Sequence, residues 1–330
     1  FTPEQIGYLR GLPMFEPVPA AFFDEHLPSV RFTGEMWAVA EGTPVFAHEP
    51  ILRVTAPIGE AQLVETALLA TIGFQTSIAS KAARVVHAAA GRAVVEFGSR
   101  RAHGTEAACL AARAAYIAGC QGTSNVEAGF RFGIPVSGTM AHSWVMSFES
   151  EAEAFGRFYE LYGGRSTLLL DTYDSVAAAE AVGRSAMRPR AVRLDSGDLA
   201  VLSRQVRAIL DAHAQTGTRI FATGDLDEHR IAALVAAGAP IDGFGVGTAL
   251  STSKDAPALG AVYKLVSFER GGRTIDAMKL SEGKRSYPGA KQVWRQKGGK
   301  TPARDVLSLA AEPGPPGARP LLERVMEGGR

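Results

Sequence analysis

Ala191 to Leu199 reads AVRLDSGDL. Its apolar run, Ala191, Val192 and Leu194, fits one short buried strand. The Asp-Ser-Gly that follows is a turn, and Ser196 or Asp198 can cap a helix opening at Leu199. Nine residues therefore hold a strand, a turn and a helix start, the junction of a β/α unit. Arg193 and Asp195 stand two apart on extended chain, so their side chains share a side.

The same pattern recurs on either side of this stretch. AVVEFGSRR (Ala93 to Arg101), GTSN (Gly122 to Asn125), IPVSGTMAH (Ile134 to His142), TLLLDTYD (Thr167 to Asp174), RIFATGD (Arg219 to Asp225) and PIDGFGVGT (Pro240 to Thr248) each end in a polar or glycine cluster. Ala-rich helical text separates them. The spacing is roughly 20 to 30 residues, the length of one β/α unit in a parallel barrel. Seven such units between Gly91 and Leu250 predict an α/β barrel, closed or nearly so, in preference to an open sheet.

Outside the barrel the pattern is different. Between Arg31 and Glu60 apolar residues alternate (Met36, Ala38, Ala40, Val45, Ile51, Leu52, Val54) around breaks at Glu41 to Pro44 and Glu49-Pro50, which predicts short antiparallel strands. Gly59 to Ala90 has helical spacing, and Thr2-Pro3-Glu4-Gln5 reads as a helix start. AVYKLVSFERGGRTIDAMKL (Ala261 to Leu280) has a hairpin turn at Arg270 to Arg273 and is expected to complete the N-terminal β unit. From Thr301 an irregular wrap with one short helix is expected. The predicted domains are 1–90, a helix and β-rich unit; 91–250, the barrel; and 251–330, strands returning to the N-terminal unit plus the tail.

The 35 basic and 34 acidic residues nearly cancel, so no overall field draws the chain to nucleic acid or an anionic membrane. With 46% hydrophobic residues in 330, a sizeable core is available. No apolar run stands out as a membrane span and no signal-peptide pattern opens the chain. The two cysteines, Cys109 and Cys120, lack metal-ligand spacing, and a reducing cytoplasm is expected.

Active sites of parallel barrels form at the C-terminal strand ends. Collected there are Arg100 and Arg101, Thr123 and Ser124, His142, Asp171 and Tyr173, Arg193 with Asp195, Ser196, Gly197 and Asp198, Gly224 and Asp225, then Gly245, Gly247 and Thr248. Cations, carboxylates and glycine turns together suit a phosphorylated, hydroxylated substrate with Mg²⁺. Phe97 adds an aromatic face for a flat ring. Each has a plainer reading as well: glycine for a turn, Asp198 or Ser196 for a cap, the arginine pair for a solvated turn, His142 for packing. Metal ligation by His142 is disfavoured, because His87 and His103 lie on other elements, which leaves a nucleophile or a proton carrier. The metal ligands are not specified by spacing.

EFGSRRAHG, QGTSNV, SGTMAHSW, LLLDTYD, VRLDSGDL and GFGVGT, in that order, resemble the nicotinate phosphoribosyltransferase family. RFTGEMWAVAEGTPVFAHEP and KLSEGKRSYPGAKQVWR, on either side of the barrel, are similar to it too. The resemblance implies a type II phosphoribosyltransferase fold: an irregular α/β barrel beside an open β-rich domain built from both chain ends. It implies a homodimer with shared active sites, joining nicotinate to 5-phosphoribosyl 1-diphosphate with ATP hydrolysis and Mg²⁺, in NAD salvage. It makes His142 the residue that ATP phosphorylates, places Phe97 against the pyridine ring and Arg100 near the base, and puts Ser124 at the ring's carboxyl group. Enzymes of this kind that use nicotinamide carry Asp at that position, so Ser124 favours nicotinate over nicotinamide. Arg193 and Asp195 are implied to face the donor's phosphates and ribose, Gly224, Asp225, Gly247 and Thr248 to seat the 5-phosphate, and Asp171 and Asp198 to contact ribose or metal. An upstream Asp-Leu-Tyr segment, whose tyrosine would stack on the base in the neighbouring subunit, either lies outside this sequence or is lacking. Transfer to nicotinamide or quinolinate, or a silent phosphometabolite-binding barrel, are the alternatives.

Overall fold

Strands are numbered in chain order: β1 Glu35–Val39, β2 Leu52–Thr55, β3 Ala93–Glu96, β4 Gly122–Thr123, β5 Thr167–Leu169, β6 Ala191–Leu194, β7 Arg219–Ala222, β8 Gly243–Val246, β9 Ser267–Arg270, β10 Arg273–Asp276, β11 Lys291–Gly298, β12 Thr301–Leu309, β13 Ala318–Pro320 and β14 Leu322–Met326. The computed structural model describes residues 1–280, 286–298 and 301–330. Two units divide it, one of residues 71–260 and one of residues 1–70 with 261–330.

In the first unit six parallel strands form one curled sheet in the order β4-β3-β8-β7-β6-β5. A parallel bridge from Thr123 to Val136 adds the IPVSG segment beyond β4. All seven sequence units thus enter the sheet, in cyclic order, with β8 beside β3. The sheet is a half-barrel: six runs are strands, the seventh contributes a single bridge, and no ladder joins that segment to β5 among the described residues. Pro135 lacks an amide hydrogen, which limits strand pairing there.

The strands are short and nearly all apolar because side chains on both faces are covered. Leu168, Leu169, Val192, Leu194, Ile220, Ala222, Phe244 and Val246 are all buried. Helices follow each strand, and polar side chains start them: Asn125 caps Val126–Phe132, Asp174 caps Ser175–Arg184, Asp198 caps Leu199–Ala212 and Asp227 caps Glu228–Ala236.

The helix Glu65–Ala88 buries Gly73, Ser77, Ile78, Lys81, Ala82 and Val85 along one stripe. With the short helix Ile58–Leu63 before it, Ile58–Ala88 is long and apolar enough to cross a membrane by length and composition alone, which corrects the expectation that no such run exists. Ile78, Ala82 and Val85 nevertheless belong to the barrel core. Lys81, 3% exposed, lies 2.6 Å from Glu228 and 2.8 Å from Asp255, so its buried charge is paired.

In the second unit β1 pairs with β2 and β14, all antiparallel. The tail expected to be irregular therefore supplies β12, β13 and β14, and the strand that completes the N-terminal sheet is β14, not the Ala261 to Leu280 hairpin. That hairpin forms as expected, Arg270 opposite Arg273, with Gly271 at φ 58° and Gly272 at 71°, but as a separate two-stranded sheet. β11 lies between β12 and β13. Of the basic residues in the KLSEGKRSYPGAKQVWR region and just beyond, Arg295 is paired with Asp305 at 2.9 and 2.6 Å, whereas Lys284, Arg285 and Lys300 lie outside the described residues.

Candidate active site

Arg193, the third residue of β6, organises one side of the barrel mouth. Its guanidinium donates to Thr223 Oγ1 at 2.8 Å, Thr139 Oγ1 at 2.7 Å and Asp195 Oδ1 at 2.6 Å. Those partners come from the end of β7, the loop after Val136 and the end of β6, so one planar fork ties three strand ends together. Asp195 also accepts from the Thr223 hydroxyl, and its backbone amide donates to Asp171 Oδ2 at 3.1 Å. Ser196 Oγ donates to the same Asp171 oxygen at 2.5 Å. Asp171 Oδ1 is buried with no hydrogen-bond partner among the described residues.

Burial alone would raise the Asp195 pKa, but the Thr223 hydroxyl, the Arg193 guanidinium and His142 outweigh it and hold the carboxyl below its ordinary value. Gly224, at φ 94°, passes directly beneath: a Cβ there would fall 1.9 Å from the Asp195 carbonyl oxygen. No side chain fits at that position.

His142 opens the five-residue helix His142–Met146. Its Nδ1 lies 3.2 Å from Thr172 Oγ1, and its Nε2 lies 3.6 Å from Asp195 Oδ2, too far for a hydrogen bond. Thr172 Oγ1 suits either tautomer, since a hydroxyl donates or accepts, and the neutral imidazole, partly exposed, keeps one nitrogen lone pair.

The other side of the mouth is built on β3 and β4. Phe97 packs against Phe221 with centroids 5.9 Å apart, and the Arg193 guanidinium carbon lies 5.7 Å from the Phe97 centroid. Gly245 makes room for this ring, since a Cβ there would meet Phe97 at 2.9 Å and Thr223 at 2.6 Å. Gly247 lies against the Phe97 carbonyl and precedes Thr248, the first residue of the turn Thr248–Ser251. Thr123 is fully buried, whereas Ser124, the next residue, is exposed.

The structure thus brings together His142, Asp171, Arg193, Asp195, Ser196 and Gly224, with Phe97 and Gly245 adjoining. Gly197, at φ 79°, makes the turn between Asp195 and the helix. Asp198 is engaged as the cap of that helix, accepting from Ala200 at 3.0 Å and Val201 at 3.1 Å. Asp225 is exposed at φ 48°. Arg100, Arg101 and Tyr173 are exposed, and no hydrogen bond or ion pair of their side chains occurs among the described residues. Sequence alone did not single out Thr139, Thr172 or Glu96 as site residues, and took Thr223 only as part of the Thr223-Gly224-Asp225 turn. The threonines sit inside the motifs but read as turn formers. Glu96 carried a signal, a charge in register with buried Val94 on one strand face.

A curled parallel α/β sheet in one unit and a β-rich unit made from both chain ends are the architecture of type II phosphoribosyltransferases. Residues 1–73 match the nicotinate phosphoribosyltransferase N-terminal domain and residues 93–309 the nicotinate phosphoribosyltransferase family. The chain is 50% identical to nicotinate phosphoribosyltransferase pncB2 of Mycobacterium tuberculosis, covering 100% of this chain and 70% of that protein. It is 47% identical to the nicotinate phosphoribosyltransferase of Bacillus subtilis, over 78% of this chain and 54% of that one. The crystal structure of human nicotinic acid phosphoribosyltransferase superposes with a TM-score of 0.83 at 27% identity, covering 100% of this chain and 78% of that one. The chain belongs to the nicotinate phosphoribosyltransferase family.

Proposed function

We propose that this protein joins nicotinate to 5-phosphoribosyl 1-diphosphate, giving nicotinate mononucleotide and diphosphate, with ATP hydrolysis coupled through a phosphohistidine at His142. The observation that carries the proposal is the web of Arg193, Asp195 and Asp171 beside His142, with the Phe97 ring next to it. Phe97 stacks on the pyridine ring, and the Ser124 hydroxyl donates to the carboxylate, where an Asp would repel it. The pyridine nitrogen has its own lone pair, so no general base is required. It attacks ribose C1 as the C1–O bond to diphosphate breaks, through an oxocarbenium-like state that the ionised Asp195 stabilises electrostatically.

Arg193 faces the donor phosphates and ribose, while Arg100, exposed on the loop after β3, stands near the base. Gly224, Asp225, Gly247 and Thr248 present backbone at the late strand ends, where barrels of this kind seat phosphate, while Gly245, inside β8, makes room for Phe97. For ATP, the His142 Nε2 lone pair attacks the γ-phosphorus and ADP leaves; hydrolysis of the phosphohistidine returns the free imidazole. The hydrogen bond between Thr172 Oγ1 and Nδ1 orients the ring and leaves Nε2 for this attack. No group of three or more potential metal ligands occurs among the described residues, but Mg²⁺ needs only one or two carboxylates beside substrate phosphates. The unpartnered Asp171 Oδ1 fits that role, with Asp195 beside it. When bound, Mg²⁺ neutralises charge on the leaving diphosphate. The chain would act in NAD salvage in the cytoplasm, as a homodimer with shared sites.

The test is mass spectrometry of reaction mixtures containing the donor and Mg²⁺ with nicotinate, nicotinamide or quinolinate, each with and without ATP. Nicotinate mononucleotide formed fastest with ATP supports the proposal. Preference for another base, or no mononucleotide from any base, overturns it.

A further inference from the structure

Glu96, the last residue of β3, is 1% exposed and is not an ion-pair partner among the described residues. Leaving a buried carboxyl without a cation costs stability unless hydrogen bonds replace its water. Both its oxygens are engaged. Oε1 accepts from the Gly98 amide, the residue after Phe97. Oε2 accepts from the Thr123 hydroxyl at 2.6 Å, the residue before Ser124. The Glu96 backbone carbonyl accepts from the Ser124 amide at 2.9 Å.

The bonds close into a ring. Thr123 Oγ1 accepts from the Asn125 amide at 2.9 Å, and Asn125 Nδ2 donates to Ser99 Oγ at 3.2 Å, back on the first loop. Asn125 Oδ1 at the same time caps the helix Val126–Phe132, so the ring is anchored to a helix. With Glu96 ionised, the Gly98 amide, the Thr123 hydroxyl and the Asn125 amide all find acceptors. Two loops on neighbouring strands are thus registered by one side chain that substrate cannot reach.

We infer that Glu96 is the positioning residue of the acceptor-base pocket: through Gly98 and Thr123 it sets the spacing between the Phe97 face and the Ser124 hydroxyl, and so the affinity and choice of the pyridine base. This rests on the proposed transfer to nicotinate. Among the described residues no hydrogen bond joins the Arg193–Asp195 web to this ring, and Arg193 meets the pocket only at the Phe97 face, so the phosphoribosyl donor should sense its loss far less than the base does.

The test uses the full chain, after the native protein has been shown to make nicotinate mononucleotide, so that a loss confined to the variants is distinct from failure of the proposed function. Glu96→Gln keeps the shape but leaves one donor of the ring without an acceptor, which is expected to raise the nicotinate KM and calorimetric Kd roughly ten- to hundredfold. The donor KM should stay within about twofold. Thr123→Val should reproduce this, Thr123→Ser should restore native values, and the Glu96→Gln/Thr123→Val pair should be no worse than either single variant. If Glu96→Gln fails to fold, the two Thr123 variants decide alone. Nicotinate affinity within about twofold of native in the variants, or equal weakening for both substrates, overturns the inference.

Discussion

Two carboxylates at the barrel mouth, Asp195 and Glu96, meet opposite surroundings. Asp195 lies between a guanidinium, a hydroxyl and an imidazole, and these overcome burial to lower its pKa. Glu96 has only a hydroxyl and an amide, and burial wins: its pKa is raised. The β5–β7 side of the mouth is therefore a charged web, and the β3–β4 side is a ring of hydrogen bonds around one buried carboxyl. Such a division suits two ligand types, phosphates and ribose on the charged side and a flat aromatic base on the other.

The largest effect expected on the charged side comes from His142→Ala. It should abolish ATP-driven phosphorylation and the ATP stimulation of transfer while the melting temperature is unchanged; residual ATP hydrolysis, measured by ADP release, would separate the imidazole from that half. Next comes Arg193→Lys. A lysine cannot span Thr139, Thr223 and Asp195 together, so kcat/KM for the donor should fall on the order of a hundredfold, about 2.7 kcal/mol. On the base side, Ser124→Asp should lower the nicotinate to nicotinamide preference at least about tenfold in a competition assay, through repulsion of the carboxylate.

A smaller effect is expected where the halves meet. Gly245→Ala would press on Phe97 and Thr223, costing roughly 1–3 kcal/mol of stability by overpacking and raising the nicotinate KM more than the donor KM.

The smallest effect is a difference in sign with pH. The lowered pKa of Asp195 gives stability that is present above the ordinary carboxylate value and lost as pH falls through its folded pKa, so Asp195→Asn should flatten the acid side of the stability curve. The raised pKa of Glu96 gives stability that is full below the ordinary value and lost as pH rises through its folded pKa. Glu96→Gln should therefore gain relative to native protein as pH rises from 4 towards 7, a trend that denaturant melts across that range would show or refute.

The barrel was legible in sequence because each buried parallel strand is a short apolar run closed by glycine or carboxylate, and seven such runs read as one series. At the chain ends the antiparallel strands of residues 31–60 and the hairpin at Arg270 to Arg273 were legible, but the strands after Thr301 were not, because their alternation is weak. Leu322 and Arg324 share one face of β14 and a register shift carries Met326 to the other, so the strand has no clean alternation, and pairing with β1 is a long-range choice that local text does not encode. Within the site, Asp171 and Asp195 could not be told from Asp174 and Asp198 by type, since each pair has the same spacing after a strand. The structure separates them: the first of each pair enters the web and the second caps a helix. Glu96 lay inside a recognised motif, but its role depends on a threonine 27 residues away.

The most direct test of the divided mouth is intact-protein mass spectrometry of phosphorylation by ATP in the absence of base, in native protein, Phe97→Ala and Arg193→Ala. The division predicts that Phe97→Ala is phosphorylated on His142 as native protein is, while losing nicotinate turnover, and that Arg193→Ala is not. Equal loss of phosphorylation in both variants would show the mouth to be one inseparable site and would contradict it.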